Sequence, residues 1–235
     1  LKKSAQKKLL IIRGFEGLLV GRSRATGDKK RKREMIREFF RHGSNAALAA
    51  LIAGVLALAL CGVWQVHAGF FALGALLFFG SEYGYHRYAF HAPPATQKWV
   101  RFLQHRLHYD HHIEPARLDL LFLPLWFIVP NYLVTGAVAW LIWPSWGKIF
   151  FFLAGSSAAI LYYEWVHYVA HIPYKPRTPW GRWIKKYHLW HHFKNETLWF
   201  GVTNPSFDFL AKTYRGVDEA VATGTTRRLF RGGEQ

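Results

Sequence analysis

Four long apolar runs divide this chain, and their interiors are almost free of charge. Residues 46–66 hold no charged side chain. At about 1.5 Å per helical residue they reach across the roughly 30 Å hydrocarbon core of a bilayer. Residues 70–90 return after the short turn His67-Ala68-Gly69. Residues 118–143 form a third run, interrupted by Pro124 and Pro130, which predicts a kink or an oblique path. Residues 148–166 form the fourth, after the turn Pro144-Ser145-Trp146-Gly147. Hydrophobic residues make up 51% of the chain and aromatics 17%, yet mean hydropathy is close to zero. Both hold only if apolar residues are gathered into blocks, the pattern of a membrane protein.

The formal charge of +17 matters less than its placement. Residues 1–41 carry 14 basic against 4 acidic side chains, residues 42–171 carry 6 against 5, and residues 172–235 carry 11 against 5. The basic segments flank the apolar runs, as cytoplasmic segments beside anionic headgroups do. Nucleic acid is therefore not an expected partner, because no soluble domain carries the basic residues. The expected topology is four crossings with both termini in the cytoplasm. Trp140, Trp143 and Trp146 mark an interfacial belt around one outer turn. Residues 1–45 read as a basic amphipathic segment, with Ile36, Phe39 and Phe40 dipping into the membrane surface. Residues 46–235 read as one membrane-embedded domain. The first 41 residues contain no secretory signal region, and a first residue of Leu suggests a trimmed N-terminus. Cys61, the one cysteine, excludes an intramolecular disulfide and any Cys-rich zinc module.

Ten of the 13 histidines fall into four groups at or beyond the cytoplasmic ends of these runs. They are His86 and His91; His108, His111 and His112; His167 and His171; and His188, His191 and His192. Helical residues three and four apart share a face. Each His-x-x-His-His is therefore expected to project three imidazoles in one direction, and His167-x-x-x-His171 two. His86 and His91 differ, because five residues turn about 140° around an α-helix. His91 must come from a helix end, which Ala92-Pro93-Pro94 supplies. A lone buried histidine is ordinarily a hydrogen-bonded core residue. Ten at these spacings would repel if protonated and lack partners if neutral, and metal ions remove both problems. Ten ligands are too many for one ion, so two are expected. Imidazole alone leaves zinc, iron, copper and nickel open.

Missing motifs narrow the chemistry. No His-Glu-x-x-His supplies a zincin general base. No Gly-x-Ser-x-Gly elbow occurs, and Gly155-Ser156-Ser157 reads as small-residue helix packing. Glu164-x-x-His167 is a single instance of the pair that soluble di-iron bundles use twice. Glu82 and Glu164 lie at run ends beside His86 and His167, where they could accept from ligand imidazoles. That suits a fixed site better than a transport path. His105 is either a surface residue or a further donor near the site.

These motifs resemble the fatty acid hydroxylase/sterol desaturase superfamily, and most closely its fatty acid 2-hydroxylase branch, over roughly residues 80–214. The likeness runs through the four histidine groups, Pro115, Leu120 to Pro124, Tyr163-Glu164, and Phe200-Gly-Val-Thr-Asn-Pro-Ser-Phe-Asp208. It implies an all-α integral membrane protein of four transmembrane helices, with a cytosolic helical cap holding the histidine-rich di-metal site. It implies a pair of iron ions, for which zinc can substitute in purified protein, and dioxygen as co-substrate. The ten motif histidines carry over as ligands, and Glu82, Glu164, His105 and Asp208 as their supports. Tyr88, Phe90, Trp190, Phe193, Trp199 and Phe200 are candidates to line a slot for a membrane lipid or fatty acyl group. The chain departs from the branch at Gln104 and Tyr187, where further histidines are common, and at Arg117, which replaces an Asp. These departures bear on substrate more than on metal. Residues 1–45 hold a single His (His42) and cannot supply two axial haem ligands, so a separate electron-transfer protein is expected. The expected reaction is hydroxylation of a lipid acyl chain near the carbonyl, in a bacterial inner membrane in preference to the endoplasmic reticulum. Oxidation or desaturation of a sterol, carotenoid or lipid headgroup by the same site is the alternative enzyme reading. A metal-binding membrane protein without catalysis is the other.

Overall fold

The computed structural model describes residues 25–223, and among them it is helical without a strand. The basic segment up to residue 24 and the last 12 residues lie outside that range. The helices are α1 (Ala25–Arg41), α2 (Gly43–Leu60), α3 (Ala68–Gly84), α4 (Lys98–Gln104), α5 (Asp110–Ile113), α6 (Leu118–Leu121), α7 (Leu125–Ile142), α8 (Trp146–His171), α9 (Pro179–Phe193) and α10 (Ser206–Leu210). Two π-helical segments, Tyr85–Phe90 and His105–Tyr109, follow α3 and α4 without a break. Among the described residues, three stretches are long and apolar enough to cross a membrane: Gly43–Leu60, Leu118–Ile142 and Trp146–His171. The second apolar run gives α3, whose 17 residues measure about 25 Å at 1.5 Å per residue. In the third run the chain leaves helix between α6 and α7. Pro124 precedes α7, where its missing N–H interrupts no helical bond, and Pro130 lies inside α7.

The fold divides into two compact units. One is built from Arg31–Ser81 and Phe122–Trp165. Its core is aliphatic and aromatic: Leu48, Ile128 and Ile160 form one cluster, Val55, Phe151 and Ala154 a second, and Ala139, Ile149, Phe152 and Leu153 a third. Within it α3 and α8 cross backbone to backbone. A Cβ on Gly74 would fall 1.9 Å from Phe152 O, and one on Gly155 would fall 1.9 Å from Phe71 O. Only glycine permits that approach. Tyr132 and Ser157 add a hydroxyl–hydroxyl bond of 2.8 Å. The small residues at 155–157 thus serve helix packing, as expected from their apolar neighbours.

In the same unit the end of α1 corrects one expectation. Phe39 does not face lipid: it is 2% exposed and packs edge-on against Phe122 and Trp165. Ile36 and Phe40 remain exposed. Asn45 ties this end to α2 by donating to Phe39 O at 3.1 Å. The second unit contains Glu82–Leu121 and the described residues from Val166 onward, and it holds all ten motif histidines.

The Gly155 contact yields a direct test. Gly155→Ala should lower the stability of the detergent-solubilised protein by about 1–3 kcal/mol through overpacking. Gly54→Ala, whose added methyl meets nothing within 4 Å, should be neutral in the same thermal melt.

Candidate metal centre

The first histidine pair depends on a change of helical winding. Over Tyr85–Phe90 the backbone bonds i to i+5, and His91 N–H closes the segment on His86 O at 3.1 Å. This wider turn brings residues five apart onto one side, which an α-helix cannot do. The helix also stops there, as Ala92-Pro93-Pro94 led us to expect. His105–Tyr109 is wound the same way and carries His108 into the site. Gln104 secures the turn after His91, accepting from Ala95 N at 2.9 Å and donating to Pro93 O at 3.2 Å.

The ten histidines form two groups of five whose nitrogens could each hold one metal ion. Group one is His86, His91, His108, His112 and His191; group two is His111, His167, His171, His188 and His192. Within each group the ligand atoms lie within 4.8 Å of one another. The His-x-x-His-His motifs therefore do not act as single three-toothed faces. In each, the i, i+4 pair (His108 and His112, or His188 and His192) serves one group, and the intervening His111 or His191 serves the other. Ring contacts of 4.0 Å between His112 and His192 and 5.7 Å between His191 and His192 bring the two groups together.

The Nε2 atoms converge. His108 Nε2 lies 2.7 Å from His91 Nε2 and 3.1 Å from His86 Nε2, and His191 Nε2 lies 3.0 Å from His91 Nε2. In group two, His167 and His111 approach to 3.0 Å, and His171 and His188 to 2.9 Å. The opposite edges are tied outward in group one. His86 Nδ1–H donates to Phe200 O, and His191 Nδ1–H donates to Leu198 O at 2.7 Å. Placing the proton on Nδ1 leaves the Nε2 lone pairs directed at the centre.

These carbonyls belong to a short loop with its own scaffold. Glu82 accepts from Val202 N at 2.7 Å and Thr203 N at 2.8 Å, and from the Thr203 hydroxyl. Asp208 accepts from Phe200 N at 2.9 Å, Gly201 N at 2.7 Å and Thr213 Oγ1 at 2.6 Å. Gly201 leaves no room for a side chain, since a Cβ would sit 2.2 Å from Asn204 O. Trp199 is fully buried with φ of 58°, a strained backbone for a bulky residue. Its N–H donates to Thr213 O at 3.2 Å and its indole N–H to Arg215 O at 3.1 Å.

Metal ions fit this donor set. Nine of the ten rings are buried, and His91 is half-buried. Neither ring nitrogen of His112 or His192 has a hydrogen-bond partner, a costly arrangement for a buried polar group unless a cation satisfies it. Burial pushes His111 down to about 3. Burial, followed by neighbouring imidazoles, holds His108, His112, His188 and His192 well below the ordinary histidine value. These rings are neutral at physiological pH, the form that binds metal.

The other candidates are placed as follows. Glu82 and Asp208 reach the histidines one step removed, through the loop backbone. Glu164 accepts from Leu123 N at 2.8 Å. His105 pairs with Asp110 at 2.9 Å, both partly exposed. Phe90 stacks on His108 at 5.3 Å, and Phe200 contacts His86, His91 and His191. Phe193 lies 6.0 Å from its neighbour His192. Trp190 and Trp199 pack together at 5.8 Å, and Tyr88 is exposed under Arg87. Arg117 forms an exposed pair with Asp119 at 2.6 Å. His42 bonds Ser44 and His67 rests on Phe151, apart from both groups. The π-winding, the Leu198 and Phe200 carbonyls and Lys185 were not recognised in the sequence. The Gly201 and Asp208 spacing was the available signal for the loop.

The helices and the two adjacent histidine groups define a helical membrane protein with two candidate metal sites. The chain belongs to the Fatty acid hydroxylase family, whose pattern it matches over residues 71–213. It is 34% identical over 170 residues to the ceramide very long chain fatty acid hydroxylase SCS7 of Saccharomyces cerevisiae, covering 69% of this chain and 42% of that protein. It is 29% identical to the dihydroceramide fatty acyl 2-hydroxylase FAH2 of Arabidopsis thaliana, covering 63% of this chain and 62% of the relative. The Homo sapiens fatty acid 2-hydroxylase is 30% identical, over 62% of this chain and 39% of its own. The chain thus spans less than two thirds of these relatives. A solved structure titled full-length scs7p, with only its hydroxylase domain visible, superposes with a TM-score of 0.66 at 26% identity. It covers 77% of this chain and 68% of its own.

Metal content separates ligands from bystanders. His112→Ala and His192→Ala should each lower the metal retained by lipid-embedded protein in elemental analysis. His42→Ala and His67→Ala should leave it at the wild-type level.

Proposed function

We propose that this chain is a membrane-bound di-iron monooxygenase that hydroxylates a lipid acyl chain at or near the carbon next to the carbonyl. The observation that carries this reading is the pair of adjacent five-histidine groups in a member of the Fatty acid hydroxylase family. Group one and group two would each hold one iron ion, and zinc can take the same all-imidazole sites. An iron pair held there would supply dioxygen activation, with one oxygen atom entering a C–H bond and the other leaving as water, using two electrons from the donor and two protons. The protein's part is to hold ten neutral imidazoles in place and keep water away. Phe90 and Phe200 cover group one with apolar surface, which excludes water and favours an alkyl chain. The named substrates of the relatives, ceramide and fatty acyl groups, support a lipid substrate here.

Electrons come from a one-electron donor protein in this reading. We further propose four crossings, with α3 and its π-helical extension as the second, and with both termini and the histidine centre on the cytoplasmic side. The basic flanks support this orientation.

Two measurements test these statements. Reaction under isotopically labelled dioxygen, with lipid substrate and an external reductant, should place one labelled atom in a hydroxyl beside the acyl carbonyl. A label drawn from water, or a hydroxyl found only on a sterol ring or headgroup, would overturn the assignment. Cys61 is exposed at the end of α2 and serves as a native topology probe. A membrane-impermeant maleimide should label it from outside intact cells, and should leave a cysteine placed at the C-terminus unlabelled.

A further inference from the structure

Group two is held by a device of its own. Lys185 is buried, at 5% exposure, and lies one helical turn before His188 in α9. Its ammonium donates to Val169 O at 2.8 Å, Ile172 O at 2.7 Å and Tyr174 O at 3.0 Å. An ammonium has three N–H donors and no acceptor, so these carbonyls use its full capacity. Val169 lies in the last turn of α8, and Ile172 and Tyr174 just beyond it. A helix end leaves carbonyls without intrahelical partners and favours a cation. One side chain thus fastens the end of the helix bearing His167 and His171 to the helix bearing His188 and His192. The 2.9 Å approach of His171 to His188 lies between those fastened segments.

Group one has a different brace. Asp208 holds the backbone of Phe200 and Gly201, and the Leu198 and Phe200 carbonyls hold His191 and His86. The two devices differ in chemistry, a carboxylate-held loop against an ammonium at a helix end. Both reach α9, which carries His191 of group one as well as His188 and His192 of group two.

We propose that Asp208 and Lys185 are positioning residues that each secure chiefly one group of five, so that losing one brace weakens one metal position more than the other. This rests on the reading that each group holds a metal ion. Removing a support of a ligand histidine typically costs about 10–100-fold in metal affinity. Here that loss should fall mainly on one position.

The test is a pair of double-mutant cycles on the full chain in lipid nanodiscs, loaded with cobalt(II) alone. Bound metal is followed by elemental analysis and by cobalt absorption during titration with a chelator. Wild type should hold two ions. His188→Ala should retain the group-one ion and His86→Ala the group-two ion. In the His188→Ala background, Asp208→Asn should weaken the remaining ion about 10–100-fold and Lys185→Met should weaken it by a clearly smaller factor. In the His86→Ala background the two effects should exchange. Should either substitution prevent folding, Thr213→Val and Lys185→Gln remove part of each brace and should show the same crossed pattern more weakly. Equal weakening of both positions by one substitution, or weakening of neither, overturns the proposal. A wild-type protein that holds fewer than two ions overturns the metal reading itself, and this proposal with it.

Discussion

Convergence of imidazole nitrogens in a buried place is the constraint on which this structure turns. Each ring must stay neutral to be buried cheaply, yet a neutral imidazole still presents a lone pair and an N–H that need partners. Nε2 atoms as close as 2.7 Å direct lone pairs at one another unless a cation lies among them. A bound metal can contribute about 10 kcal/mol or more to folding, enough to hold helices in an arrangement that side-chain packing alone would not favour. The π-winding after α3 and α4 follows from the same demand. It gives up regular α-helical bonding at two places to direct His86, His91 and His108 to one point.

The helices and the histidine groups could be read in the sequence because they depend on periodicity. Apolar runs give α2, α3, α7 and α8, and spacings of three and four give chelating helix faces. The division of ligands between two groups could not be read in this way. In an ideal α-helix His108, His111 and His112 share a face, and only the packing of α9 and α8 decides which of them meet. The loop at 198–203 was similarly hidden. Its contribution is made by backbone carbonyls, which leave no mark on residue identity, and only Gly201 and Asp208 betray the tight turn that presents them. Phe39 was misplaced because an amphipathic pattern shows which residues are apolar without showing whether lipid or protein covers them.

Carboxylates near histidines invite the reading that they bond the rings directly. Glu82 and Asp208 instead accept N–H and hydroxyl donors from the loop, and the loop's carbonyls accept from the rings. A direct carboxylate partner would place a negative charge against the imidazole and raise its basicity strongly. A carbonyl fixes the same tautomer with a much smaller electrostatic effect. The carboxyl groups stand one bond further from the centre, where they stiffen the loop backbone that presents the carbonyls.

Each His-x-x-His-His motif feeds both groups, so the two candidate ions are coupled through shared helices while their outer supports differ. Displacement of His111 or His191 moves a ligand of one group along with the pair serving the other. The supports are unlike: one is a carboxylate-held loop at group one, the other an ammonium at a helix end beside group two. A cation at Lys185 also lowers the electrostatic favourability of a second positive charge nearby, whereas Asp208 has the opposite sign. Two groups with the same five ligands of the same type therefore sit in unlike fields. Identical imidazole donor sets do not make the two positions equivalent, because what orients and surrounds the rings differs at each.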